Sequence, residues 1–169
     1  MAFLNNGTTV ISFAEYQDVV DADQRLFDTN EGLTEDVVET HLVRATARIL
    51  SLFRATTWWR SYYLKMDPTA TVNTVADIPS LDVDRIVDRQ SDFTDLCVYY
   101  SLYNYTLPSI ADFGTEENTE KQKISFYQQK FNILFDELTA SGDWYDFDDS
   151  GTIASGEKQP WQVNLKRIR

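Results

Sequence analysis

Apolar residues recur at spacings of three and four in three long stretches of this chain, the period of an amphipathic helix with one buried stripe. The clearest runs from Thr34 to Thr56, where Val38, Leu42, Ala45, Ile49, Leu52 and Thr56 share a face on a helix of about 34 Å at 1.5 Å per residue. In the second, Phe93, Leu96, Cys97, Tyr100, Tyr103 and Leu107 line one side, with Ser91 as cap and Pro108 as stop. The third extends from about Glu117 to Thr139 and places Ile124, Tyr127, Phe131, Leu134 and Leu138 in register.

Shorter signals fill the gaps. Ser12-Phe-Ala-Glu15 has the spacing of a capping box and opens a helix through about Ala22, and a second short piece covers Asp23 to Asp28. Trp58, Trp59, Tyr62 and Tyr63 lie on a continuation of the first long helix, or on a short helix of their own, that stops before Asp67-Pro68. Pro68 to Pro79 is rich in β-branched residues and reads as a long loop or arm, and a short helix is expected near Asp82 to Asp88. The pattern predicts an all-α fold, an antiparallel helical bundle of about four to five helices with a small β-hairpin and an extended C-terminal arm. Residues 1–140 form the bundle, 141–158 an Asp-rich turn or β-hairpin, and 159–169 the arm. No segment repeats at a fixed period.

A chain of 169 residues can bury roughly two-thirds of its unfolded surface, so folding requires neither metal nor disulfide. With 43% hydrophobic and 14% aromatic residues the sequence is that of a globular protein despite a net charge of -12. A single cysteine, Cys97, rules out an intrachain disulfide framework and fits a reducing compartment. The N-terminus lacks the pattern of a secretory leader and no run has transmembrane length, so a soluble protein is expected. The charge is uneven: residues 1–157 hold all 27 acidic groups and 11 of the 15 basic ones, for a net -16, whereas the last twelve residues carry +4. An acidic body repels a nucleic-acid backbone.

One stretch carries recognisable ligand chemistry. Asp146-Phe-Asp-Asp-Ser-Gly-Thr-Ile-Ala-Ser-Gly-Glu157 matches a calcium-binding EF-hand loop, with Asp at position 1, Asp at 3, Ser at 5, Gly at 6 and Glu at 12. Such a loop is normally held by a helix at either end. Here Ser141-Gly142 stop the preceding helix short of Asp146 and Pro160 follows closely on Glu157. The favoured reading is a turn or β-hairpin, with Trp144, Tyr145 and Phe147 on one side and Thr152 and Ile153 on the other, no metal and no cofactor. The alternative is a calcium-binding interaction module using 146–157.

Other chemistry is sparse. His41 is the only histidine and sits at the edge of a helix stripe, with no nucleophile in pattern beside it. Cys97 on an apolar face reads as an inert small hydrophobe. No triad, phosphate loop or zinc-protease motif is present, and no enzymatic activity is expected. Trp58, Trp59, Tyr62 and Tyr63 suit core packing or contact between subunits, because aromatic side chains supply area with few rotors.

The order of these elements resembles the head-to-tail connector, or adaptor, proteins of tailed bacteriophages. The pieces that carry the resemblance are SFAEYQDVVDADQRLFD, TEDVVETHLVRATARILSLFRATTWW, DLCVYYSLYNYTLP, YQQKFNILFDEL, GDWYDFDDSGTI and the basic-apolar end VNLKRIR, together spanning residue 12 to the C-terminus. The loop from Pro68 to Pro79 has no counterpart in that pattern.

The resemblance implies a structural virion protein, assembled in the host bacterial cytoplasm and located at the neck. There copies of the chain, typically twelve, form a ring beneath the portal, connect the DNA-filled capsid to the tail and extend the DNA channel. Its partners would be the portal protein, neighbouring copies, a tail-completion or stopper protein, and genomic DNA passing without sequence-specific binding. The arm would dock on the portal. Trp161, Val163 and Leu165 alternate with polar residues as in an extended strand, and Lys166, Arg167 and Arg169 would meet acidic residues of the portal or of an adjacent copy.

Overall fold

The computed structural model describes residues 3–5, 10–30, 32–67, 69–111 and 119–157, and in these the chain is all-α apart from one short strand pairing. It divides into two compact units. One comprises residues 1–49 and 89–136, the other 50–88 and 137–169.

In the first unit, β1 (Leu4–Asn5) pairs antiparallel with β2 (Val10–Ser12), a strand pairing near the N-terminus that the sequence pattern did not predict. The helix α1 (Tyr16–Ala22) starts later than its sequence suggests. Ser12 belongs to β2, where its hydroxyl donates to the Ala14 carbonyl, and the Asp18 carboxylate accepts from the Glu15 N–H. The box is therefore shifted by three residues. After α2 (Gln24–Thr29) comes α3 (Glu35–Ala55), the longest element of the first half. Val38, Leu42, Ala45 and Ile49 are fully buried, and the stripe ends on Phe53 rather than on Leu52, because a 3.6-residue turn drifts across successive steps of four.

The helix α5 (Gln90–Ser101) begins after Arg89, which has left-handed φ of 54°, so Ser91 lies inside the first turn and is not the cap. Pro108 does not stop this helix. Residues Leu102–Thr106 widen into a π segment, and α6 (Leu107–Ile110) continues with the proline in its first turn. The Leu107 N–H reaches back to the Leu102 carbonyl, five residues away, and this i to i−5 bonding lets the chain absorb a residue that has no N–H.

Polar groups fix the packing of α3 on α5. The Thr46 hydroxyl accepts from the Phe13 N–H at 3.1 Å and meets the Cys97 thiol at 3.3 Å, while the Thr94 hydroxyl donates to the Phe13 carbonyl at 2.8 Å. His41 Nδ1 lies 3.2 Å from the Thr106 hydroxyl. Pairing 46 with 97 and 41 with 106 makes α3 and α5 antiparallel. The helix α7 (Thr119–Ser141) packs on α5 through Phe131 against Tyr100, and Lys123 pairs with Asp23 at 2.6 Å.

The second unit is built on aromatic rings. Thr56 interrupts the helical run, and its hydroxyl accepts from the Trp59 N–H to cap α4 (Thr57–Met66). Trp58 packs on Trp144 with ring centroids 4.7 Å apart and Phe53 on Trp144 at 5.2 Å. The described part of the 68–79 loop contains a 3₁₀ turn at Val75–Asp77 and is strapped down. Arg54 donates to the carbonyls of Ile78 and Ala76, and the Trp59 indole to that of Pro79 at 2.8 Å.

Gly142 closes α7 in the left-handed region, φ 55°, and a Cβ there would lie 2.5 Å from Trp58 Nε1. Gly142→Ala therefore combines backbone strain with a clash against a buried indole. It is expected to destabilise the protein by about 2–4 kcal/mol in urea unfolding.

Candidate functional site

Three rings anchor the chain as it leaves α7. Trp144, Tyr145 and Phe147 are buried, Tyr145 is held by an isolated bridge to Ile86, and its hydroxyl accepts from the Asp82 N–H at 3.1 Å. Asp146, caught between anchored neighbours, is buried with them at 1% exposure. A carboxylate in that position must find donors. Gly151 donates to its Oδ2 at 2.6 Å and Ser150 to its Oδ1 at 3.3 Å.

From there the chain follows the loop form and not a β-hairpin. Asp149 and Gly151 take positive φ of 61° and 78°, and the Ser150 N–H is shared with Asp148 Oδ1. Glu157, only 8% exposed, returns to the start of the loop. Its Oε1 accepts from the N–H groups of Phe147 and Asp148 at 2.9 and 3.2 Å, and its Oε2 from that of Ala154 at 2.6 Å. One oxygen from each of Asp146, Asp148 and Glu157 lies within 4.8 Å of the others. This is the donor set expected of a hard divalent cation.

Burial works to raise the Asp146 pKa, but the amides of Gly151 and Ser150, together with Asp148 and Asp149, outweigh it and hold the carboxyl below its ordinary value. Arg85 donates to the Phe147 carbonyl and lies 3.6 Å from Asp149, and Lys65 donates to the Gly156 carbonyl. Neither cation pairs with the three converging carboxylates.

Beside the loop, Trp59, Tyr63, Pro79, Asp82, Arg85 and Tyr145 are among the walls of a cavity of about 270 Å³. Of the four aromatics considered for subunit contact, Trp58, Trp59 and Tyr62 are buried in the core of their own unit and Tyr63 is half-buried. The first three are thus packing residues. Their adjacency to 144–147 could not be read from local sequence. Trp161, Val163, Leu165, Lys166, Arg167 and Arg169 lie outside the described residues.

His41 packs on Tyr105 and its pKa is lowered by burial and by Arg44. The buried Cys97 thiol is pushed up to about 11 by burial, which keeps it protonated and unreactive. No protein family, curated protein or solved structure matches this chain.

Glu157→Gln leaves one oxygen where two served three amides and turns an NH₂ toward a donor, so it should cost about 1–3 kcal/mol in the presence of EDTA, measured by denaturant unfolding. For Asp146 the folded pKa is depressed, so its contribution to stability is complete above the unfolded value and is lost as pH falls through the folded one. Stability should hold to about pH 4 and decline below it, and Asp146→Asn should flatten that acid limb of the unfolding profile.

Proposed function

We propose that this chain is a structural subunit of a phage head-to-tail connector, forming a ring beneath the portal through which DNA passes toward the tail. The order of helices, acidic loop and basic end supports the reading. So does the charge distribution, since an acidic wall does not trap a phosphate backbone, while a basic end can engage an acidic neighbour.

The observation that carries the proposal is on α7. Phe126 and Ile133 stand seven residues, two helical turns, apart and are 51% and 69% exposed, while Tyr127, Phe131 and Leu138 occupy the buried face roughly a third of a turn away. Lys130 lies between the two exposed residues, with Nζ 5.4 Å from the Phe126 ring centroid. A single exposed apolar residue is ordinary, but two large ones aligned on one edge of a long helix form a strip suited to a neighbouring copy. Head-to-tail contacts of that kind close into rings.

Ile133→Asp should leave the melting temperature nearly unchanged, because surface substitutions rarely exceed about 0.5 kcal/mol. It should abolish ring formation on added portal, seen by electron microscopy, and attachment to DNA-filled heads. Removing residues 160–169 should likewise spare the fold and block attachment. Normal head occupancy by both variants, or a stable twofold dimer of the isolated protein, would overturn the assignment.

A further inference from the structure

We propose that Arg44 and Arg48, set beside Tyr103 and Tyr105 on one face of the first unit, receive the Ile133 and Asp136 edge of α7 from a second copy of the chain. The inference rests on the reading of that exposed edge as a contact between copies, and it names the surface the edge meets.

Arg44 and Arg48 stand four residues apart on α3, so both project from one face on successive turns, and both are exposed. In a chain of net charge -12, arginines are expected to pair with carboxylates. These two do not: among the described residues neither forms an ion pair. Arg44 lies instead over the Tyr105 ring, 4.4 Å from its centroid, and Arg48 acts on Tyr100, where it opposes the rise that burial causes in the phenol pKa. The local charge is felt by His41, whose pKa is lowered by burial and then by Arg44.

The tyrosines are gathered by the π segment. In an α-helix, residues five apart point about 140° away from each other, whereas the wider i to i−5 turn brings them nearly into line. Tyr105 thus reaches the side of Tyr100, with ring centroids 5.9 Å apart, and Tyr103 lies 5.2 Å from the same ring. Tyr103 and Tyr105 remain half-buried, and Val43, next to Arg44, is 41% exposed. Tyrosine and arginine on a firm support are the composition from which contact surfaces draw most of their energy. Stacking on Tyr105 already restrains the Arg44 guanidinium, so less side-chain freedom is lost when a carboxylate meets it.

The occupant follows from charge and from direction. A nucleic-acid strand would bring a charge with every nucleotide against an acidic body, whereas the α7 edge brings the apolar Ile133, 69% exposed, and the exposed carboxylate of Asp136 one turn on. One copy cannot close this contact on itself. Phe131 packs on Tyr100 and Tyr103, and Phe135 stacks on Phe131, which fixes the side of α7 that faces the patch. Ile133, two residues from each, projects about 160° away. The two surfaces are different and face apart, so the contact is head to tail and can be repeated from copy to copy.

The test traps the contact in the full chain at high concentration under mild oxidation, with Arg48→Cys in one sample and Asp136→Cys in another. Both positions are exposed, so the variants should keep the parent's melting temperature, and the buried Cys97 thiol should not compete. Mixed together, the two should form a disulfide-linked dimer at least about tenfold faster than either alone, because docking raises the effective concentration of the matched pair only. The rate should fall in high salt, and adding Arg44→Glu to the Arg48→Cys chain should return it to background. A mixed rate no faster than that of the separate variants would overturn the proposal. So would tight binding of a labelled single-stranded oligonucleotide that Arg44→Glu with Arg48→Glu abolishes, which would assign the patch to nucleic acid. Trapping needs neither portal nor heads: a mixed dimer from a protein that never joins heads would uphold this contact and sink the connector reading, and head attachment without a mixed dimer would do the reverse.

Discussion

The contact of Trp58 with Trp144 sets the terms for its unit. Two indoles 4.7 Å apart leave no room for a side chain at the end of α7, so that helix must end on Gly142 with positive φ. The turn sends the chain back so that Trp144, Tyr145 and Phe147 settle on the rings of α4. Asp146 is buried as a consequence of its neighbours, not through any preference of its own. A buried carboxylate then recruits the amides of Ser150 and Gly151, and that requirement shapes the loop. Hydrophobic packing thus dictates where a polar site can form.

The first unit reaches the same end with small polar groups. Thr46, Thr94 and Cys97 are buried where α3, α5 and the strand segment meet, and each finds a partner in a backbone group or in another of the three. Because Phe13 is held through both its N–H and its carbonyl, its ring has a single position, between Phe3 and Phe93. Satisfied polar contacts of this kind specify register more than they add stability.

Local signals made the long helices legible, since periodicity of three and four needs no knowledge of the partner. The stripes of α3 and α7 were readable for that reason, and the break at Thr56 agrees with an ordinary cap. What failed were the boundaries that depend on distant contacts. Ser12 has a capping spacing, yet strand pairing with Leu4 claims it first. Pro108 has the chemistry of a helix stop, yet the π segment before it shifts the bonding pattern and the helix continues. Trp58, Trp59 and Tyr62 are hydrophobic enough for an interface or a core, and only the return of residues 144–147 decides between them. The ligand pattern of 146–157 was visible from the start, but nothing in the sequence showed Glu157 folding back onto the amides of Phe147 and Asp148.

Residues 146–157 gather their carboxylates without a helix directly at either end among the described residues. A pair of helices serves such a loop by bringing its first and last ligands together, and any device that does so is equivalent. Here the ring anchors at 144, 145 and 147 fix the first ligands, and three amides fix Glu157, so the carboxylates are gathered by folding itself. The entropic cost of collecting them is borne by the aromatic core. Preorganisation of this kind stiffens the loop while making it depend on its scaffold: a change at Gly142, which meets Trp58, would loosen the rings and, with them, the position of Asp146.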